Sequence, residues 1–172
     1  INIIGSCRDI AIAAQERPDL FQSKCHAIYL NAGNGDPDPA NQKIEWNVKL
    51  EPSAYAAMFD VPCPIYWMPC INGTHYSFQQ GLILPHLSDE VQNYFAYMFS
   101  RKTDHNWLTY LTGPKDQALL DEQGHKTRNM WCTAGFFHAA GQTVLSDGSI
   151  VSRQKTHDKG VFGFEPVQIK CD

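Results

Sequence analysis

Three short, largely apolar runs limit what this chain can fold into. Ile1–Ile4, His26–Leu30 and Pro64–Met68 are too short for ordinary helices, and none shows a strict polar/apolar alternation. A strand that is apolar on both sides must be covered on both sides, as in a parallel sheet between helices. The intervening stretches agree. Arg8–Glu16 reads as a helix stopped by Pro18, and Pro52–Phe59 begins on a proline, the residue best tolerated at a first helical position. Strands separated by helices predict βαβ units, hence an α/β fold with a mostly parallel sheet flanked by helices.

The second half changes character. Ser88 is placed to cap a helix in which Val91, Tyr94, Phe95, Met98 and Phe99 fall on one stripe. Trp107, Leu108 and Leu111 predict a short helix ending at Gly113-Pro114. Thr133–Ala140, apolar and rich in small residues, predicts a buried one. Thr143–Leu145 and Ile150–Val151 flank Asp147-Gly148, a hairpin signal, so a C-terminal β-hairpin is expected, with Val167–Ile169 as a last edge strand. No repeat, low-complexity tract or linker divides the sequence, and a single domain over residues 1–172 follows.

Composition excludes several classes. A hydrophobic share of 43% and a charged share of 19% are globular values. The net charge of −4 provides no basic footprint for nucleic acid, and no apolar run approaches a membrane span. The chain begins at Ile1 inside an apparent strand, as though an amino-terminal portion were lacking. An edge this apolar is expected to meet that missing segment, another subunit or a second copy of the chain. Six cysteines, at 7, 25, 63, 70, 132 and 171, include no C-x-x-C pair. Their even number permits three disulfides, and Asn72-Gly73-Thr74 is a glycosylation-type sequon; both lean towards an exported protein. Against disulfides, Cys7, Cys25 and Cys132 fall at element starts or core positions, where free cysteine behaves as a small hydrophobe.

Candidate chemistry centres on Glu45-Trp46-Asn47. In an extended segment these two polar side chains share a face. Glu only accepts hydrogen bonds whereas Asn donates and accepts, an arrangement suited to neighbouring hydroxyls; a solvated strand face is the competing interpretation. Generic catalytic motifs are missing: no nucleophile elbow, P-loop, H-E-x-x-H or dinucleotide fingerprint. Asp36-Pro37-Asp38 reads as a turn rather than a calcium loop, His157-Asp158 as an exposed segment, and His138 as a satisfied core histidine.

Ordered blocks along the chain resemble the inosine–uridine-preferring nucleoside hydrolases. Gly5-Ser6-Cys7-Arg8-Asp9-Ile10-Ala11 is similar to that family's G-G-L-T-N-[IL]-A, and Ile28-Tyr29-Leu30-Asn31-Ala32-Gly33 to its V-L-M-G-G. Glu45-Trp46-Asn47 matches E-F-N, Glu51-Pro52-Ser53-Ala54 matches D-P-E-A, and Asn72-Gly73-Thr74-His75 stands where the family has D-[LV]-T-H. The resemblance covers the whole chain and corresponds to the second half of a family member. It implies a nucleoside hydrolase-like α/β fold with one pocket at the carboxyl ends of the strands. In that pocket calcium binds, ribose hydroxyls are gripped and an activated water attacks the anomeric carbon. It places Glu45 and Asn47 on the ribose-gripping positions, Asn31 on a pocket-lining position usually held by Met, and the Ile4 carbonyl on calcium. Pro39 stands where an Asn usually contacts the sugar, with Asn41 close by.

The aspartate-rich D-x-D-x-x-x-D-D motif, source of most calcium ligands and of the base, is not in this sequence. Trp131-Cys132 aligns with the family's later His-Asp pair, and a thiolate suits a hard cation poorly. His138 or His75 would have to replace the lost imidazole acid. Two functions are therefore expected to compete. One is hydrolysis of ribonucleoside N-glycosidic bonds once an upstream aspartate motif completes the site. The other is a catalytically degenerate sugar- or nucleoside-binding protein, or a structural subunit.

Overall fold

The computed structural model describes residues 1–36, 38–41, 43–70, 76–100, 106–156 and 166–168. They form two compact units, Ile1–Thr74 with Trp131–Asp172, and His75–Met130. The first is built on a three-stranded parallel sheet of β1 (Asn2–Ile3), β2 (Ile28–Leu30) and β3 (Ile65–Trp67), in that spatial order. Ile3 pairs with Leu30, and Ile28, Tyr29 and Leu30 pair with Ile65, Tyr66 and Trp67. Helices α1 (Arg8–Glu16) and α2 (Pro18–Lys24) connect β1 to β2; α3 (Trp46–Leu50) and α4 (Pro52–Ala57) lie between β2 and β3. Pro18 and Pro52 each open a helix, where the missing N–H costs nothing.

The period-two geometry of β2 sorts the core. Ile28 and Leu30 are wholly buried and pack in one cluster with Cys7, Ala11 and Ala14, Phe21, Ala54 and Met58. Small residues on α1 let that helix approach the sheet closely. Tyr29 points to the other face.

The second unit pairs β4 (Tyr76–Gln79) antiparallel with β5 (Thr127–Met130), and holds α5 (Asp89–Ser100), α6 (Trp107–Leu111) and α7 (Gln117–Gly124). Ser88 caps α5 as expected, but the apolar stripe is not the buried face. Val91, Tyr94 and Met98 are exposed, while Gln92, Asn93 and Ala96 are buried. The polar pair wins because it satisfies loose carbonyls: Gln92 Nε2 donates to Leu87 O at 2.8 Å, and Asn93 Nδ2 to Leu111 O and Gly113 O, both at 2.9 Å. Those last two carbonyls lie at the end of α6, which lacks further helical donors.

The first unit resumes with α8 (Thr133–Ala139) and a hairpin of β6 (Gln142–Val144) and β7 (Ile150–Ser152). Asp147 accepts the Ser149 N–H at 2.9 Å and Gly148 adopts φ +85°, so the Asp-Gly turn forms where expected. A Cβ on Gly135 would sit 3.0 Å from Met68 Cε and 3.3 Å from Tyr29 Cβ, so the small residue lets α8 press onto the sheet's second face. Helices thus flank both faces of the parallel sheet. Val167–Gln168 is not a strand, and Val167 is 66% exposed; Ile169 lies outside the described residues. Among the described residues no helix is long and apolar enough to cross a membrane. Cys7, Cys25, Cys63, Cys70 and Cys132 are free thiols.

Candidate functional site at the strand ends

The parallel pairing of β2 with β3 continues past the strands. Cys70 N–H donates to Gly33 O at 2.8 Å and Gly35 N–H to Cys70 O at 3.2 Å. Asn31, at the end of β2, is buried; its Nδ2 donates to Ile3 O at 2.8 Å and to Asn2 Oδ1 at 2.7 Å. Among the described residues Asn31 Oδ1 is buried with no hydrogen-bond partner, an unmet acceptor at the carboxyl ends of β1 and β2. Two residues on, Gly33 adopts φ +94°, and a Cβ there would lie 2.2 Å from the Tyr55 hydroxyl. Only glycine fits beneath that tyrosine.

Glu45-Trp46-Asn47 is not extended. Glu45 has φ −65° and ψ 152° and is the N-cap of α3, with Trp46 already helical. Its Oε1 accepts from Asn47 N–H at 2.9 Å and its Oε2 from Val48 N–H at 3.3 Å. A carboxylate here satisfies two donors that the first turn leaves unpaired, at the positive end of the helix. Oε2 also accepts the Gly33 N–H at 3.1 Å, which ties the cap to the end of β2. Asn47, riding on the first turn, donates from Nδ2 to Asn31 O at 2.9 Å. The two side chains therefore meet the Asn31–Gly33 loop through a helix cap, not through strand alternation.

Protonated groups surround this carboxylate. Burial, and then the charge of Glu45, push the thiols of Cys7, Cys70 and Cys132 up. Burial also carries Tyr55 up to about 12, with Cys7 and Glu45 adding to the rise and a Trp67 hydrogen bond opposing it. Beside Glu45, therefore, three thiols and a phenol are held in their protonated forms. Calcium needs roughly six to eight oxygen ligands, several of them carboxylate. Here Glu45 already holds three backbone N–H groups, and Cys132 stands as a neutral thiol. Among the described residues no cluster of three His, Cys, Asp or Glu side chains could hold a metal. These donors do not fit calcium.

The remaining expected residues scatter. Ile4 directly follows β1 and is 62% exposed, and no described hydrogen bond joins it to Glu45 or Asn47. Asn41 is exposed in a 3-10 turn (Pro39–Asn41); its carbonyl accepts Asn34 Nδ2 at 2.8 Å, and no described hydrogen bond joins it to Glu45 or Asn47. Pro37, His75, the Asn72 sequon, His157-Asp158 and Cys171 lie outside the described residues.

No family model, curated protein or solved structure matches this chain.

A second constellation had no signal in the sequence. On the other face of the sheet Tyr29 stacks on Tyr66 at 4.9 Å between centroids, and its hydroxyl lies 2.7 Å from His138 Nδ1. Arg153, just past β7, places Nη1 against His138 Nε2 and donates from Nη2 to His138 O at 3.2 Å. His138 is thus the satisfied histidine expected, but its partners stand 109 and 15 residues away. No local spacing encodes such a cluster. Around it opens a cleft of about 540 Å³ at the amino ends of β1 and β2, and none of Ile4, Asn31, Asn41, Glu45 or Asn47 lines it.

Proposed function

We propose that this chain is a nucleoside hydrolase-like domain that binds the ribose of a nucleoside, or a related sugar, at the strand ends, and does not by itself cleave the N-glycosidic bond. The observation that supports this most is the convergence of Glu45 and Asn47 on the Asn31–Gly33 loop, on the side of a parallel sheet where ligands bind in open α/β folds. Ribose hydroxyls both donate and accept. Asn31 Oδ1 offers an unmet acceptor, and Glu45 Oε1 carries a single backbone bond, leaving lone-pair capacity for a hydroxyl donor.

Cleavage asks for more. Hydrolysis needs a base for water and an acid for the departing nucleobase. The thiols beside Glu45 are held protonated, and Glu45 itself is committed to three backbone donors.

A hydrolase completed by an aspartate-rich upstream segment, another subunit or a second copy is the alternative. It is favoured by β1 being, among the described residues, an edge strand flanked by exposed Ile1 and Ile4, since an apolar edge is a template for further pairing. Calorimetric titration with inosine, uridine, ribose and hypoxanthine tests the binding reading. Inosine, uridine and ribose should share a heat of binding that Asn47→Asp weakens about tenfold, the loss expected for one donor to a buried carbonyl. Hypoxanthine binding as tightly as inosine would remove the sugar from the account.

A further inference from the structure

We propose that the cleft at the amino ends of β1 and β2 is a second binding site, for a small aromatic carboxylate. Among the described residues its walls carry Lys24 and Arg153 and no Asp or Glu, in a chain whose 18 acidic residues outnumber its 14 Lys and Arg. Such a lining favours an anion. The size, about 540 Å³, is that of a small-molecule site. Leu20, Phe21, Ala27 and the stacked Tyr29–Tyr66 pair supply an apolar, planar wall for the body of the ligand.

The polar end is organised by a chain of hydrogen bonds whose direction is fixed. A guanidinium only donates, so His138 Nε2 must be the acceptor and its proton must sit on Nδ1. Nδ1–H then donates to the Tyr29 oxygen, which leaves the phenol's own hydrogen for a further acceptor. Arg153 uses two of its five N–H donors on His138; the others have no acceptor among the described residues. One pinned guanidinium and one oriented phenol O–H thus border the same cleft. A carboxylate matches both, because its two oxygens accept from the Arg fork and from the hydroxyl together. Held by His138, Arg153 loses little side-chain freedom on binding.

The test is a two-dimensional NMR titration of the labelled protein with sodium benzoate, with benzamide as the uncharged analogue of the same shape. Benzoate should give saturable shifts at Tyr29, Tyr66, His138 and Arg153, with benzamide at least about tenfold weaker, the difference expected for loss of a charge-assisted hydrogen bond. Arg153→Gln should weaken benzoate about tenfold, and Tyr29→Phe severalfold. Should Arg153→Gln fail to fold, Lys24→Gln on the exposed side of α2 serves instead and should lower both affinity and its salt dependence. No saturable shift at millimolar benzoate, equal binding of benzamide, or affinity untouched by these substitutions would overturn the assignment.

Discussion

Glu45→Ala offers the sharpest perturbation, because one carboxylate does two structural jobs. It caps α3 through Asn47 and Val48, and it fastens that cap to the end of β2 through Gly33. Loss of an N-cap costs about 0.5–2 kcal/mol, and a hydrogen bond to a charged group contributes about 1.5–3 kcal/mol. The site is half-buried, so water recovers part of both, and about 2–3 kcal/mol is the expected loss. Glu45→Gln keeps one acceptor oxygen and should lose about half as much. For a chain of this length the alanine variant should melt roughly 5–10 °C lower. Urea unfolding followed by tryptophan fluorescence measures this directly, with Trp46 and Trp67 close to the cap. An alanine variant within about 0.5 kcal/mol of the parent, the range of ordinary surface substitutions, would refute the structural role of Glu45. Asn47→Asp also removes a bond within this loop, from Asn47 Nδ2 to the Asn31 carbonyl, so its effect on ligand binding is read alongside its melting temperature.

Gly33→Ala should be at least as damaging, about 2–4 kcal/mol, because it combines positive φ with a Cβ 2.2 Å from the Tyr55 hydroxyl; a neutral result in thermal melting would contradict the close approach. Asn93→Leu leaves Leu111 O and Gly113 O unpaired and should cost about 2–3 kcal/mol, against a gain on grounds of hydrophobicity alone; unfolding curves decide the sign. Burial and the neighbouring Cys25 hold Cys63 up to about 11 instead of 9.0, so its alkylation by iodoacetamide should be slow at pH 8 and climb towards pH 11. Because the folded state keeps this proton longer than the unfolded chain, the Cys63 contribution to stability is intact below pH 9 and falls away between pH 9 and 11. Fast alkylation at pH 8 in the folded protein would contradict that.

The parallel sheet was legible because burial on two faces leaves a compositional mark: Ile28 and Leu30 sit at zero exposure within one short apolar run. Pro18, Pro52 and the Asp147-Gly148 turn were legible for the same kind of reason, each residue having few conformations to choose from. The buried polar face of helix α5 leaves no mark in the sequence. Periodicity weighs side chains by hydrophobicity, whereas Asn93 is buried for the carbonyls of α6 that it satisfies, and those carbonyls are invisible until the chain folds. Glu45 and Asn47 stand out in the sequence by residue type, but their geometry does not. The capping role of Glu45 depends on Gly33, twelve residues earlier, turning its N–H towards the carboxylate. Of the Tyr29–His138–Arg153 cluster only His138 stands out in the sequence, and its partners do not, since the cluster joins a strand, a helix and a hairpin end that meet only in three dimensions.

The central claim, ribose recognition at the strand ends without cleavage by this chain alone, reduces to one proton NMR experiment on inosine mixed with the protein in the presence of calcium. Saturation transferred from the protein should reach the ribose protons of inosine, while the anomeric signals of free ribose stay absent over days. Ribose accumulating in step with protein concentration, and ceasing with Glu45→Gln in a variant that remains folded, would contradict the account, as would the absence of any transfer to the sugar.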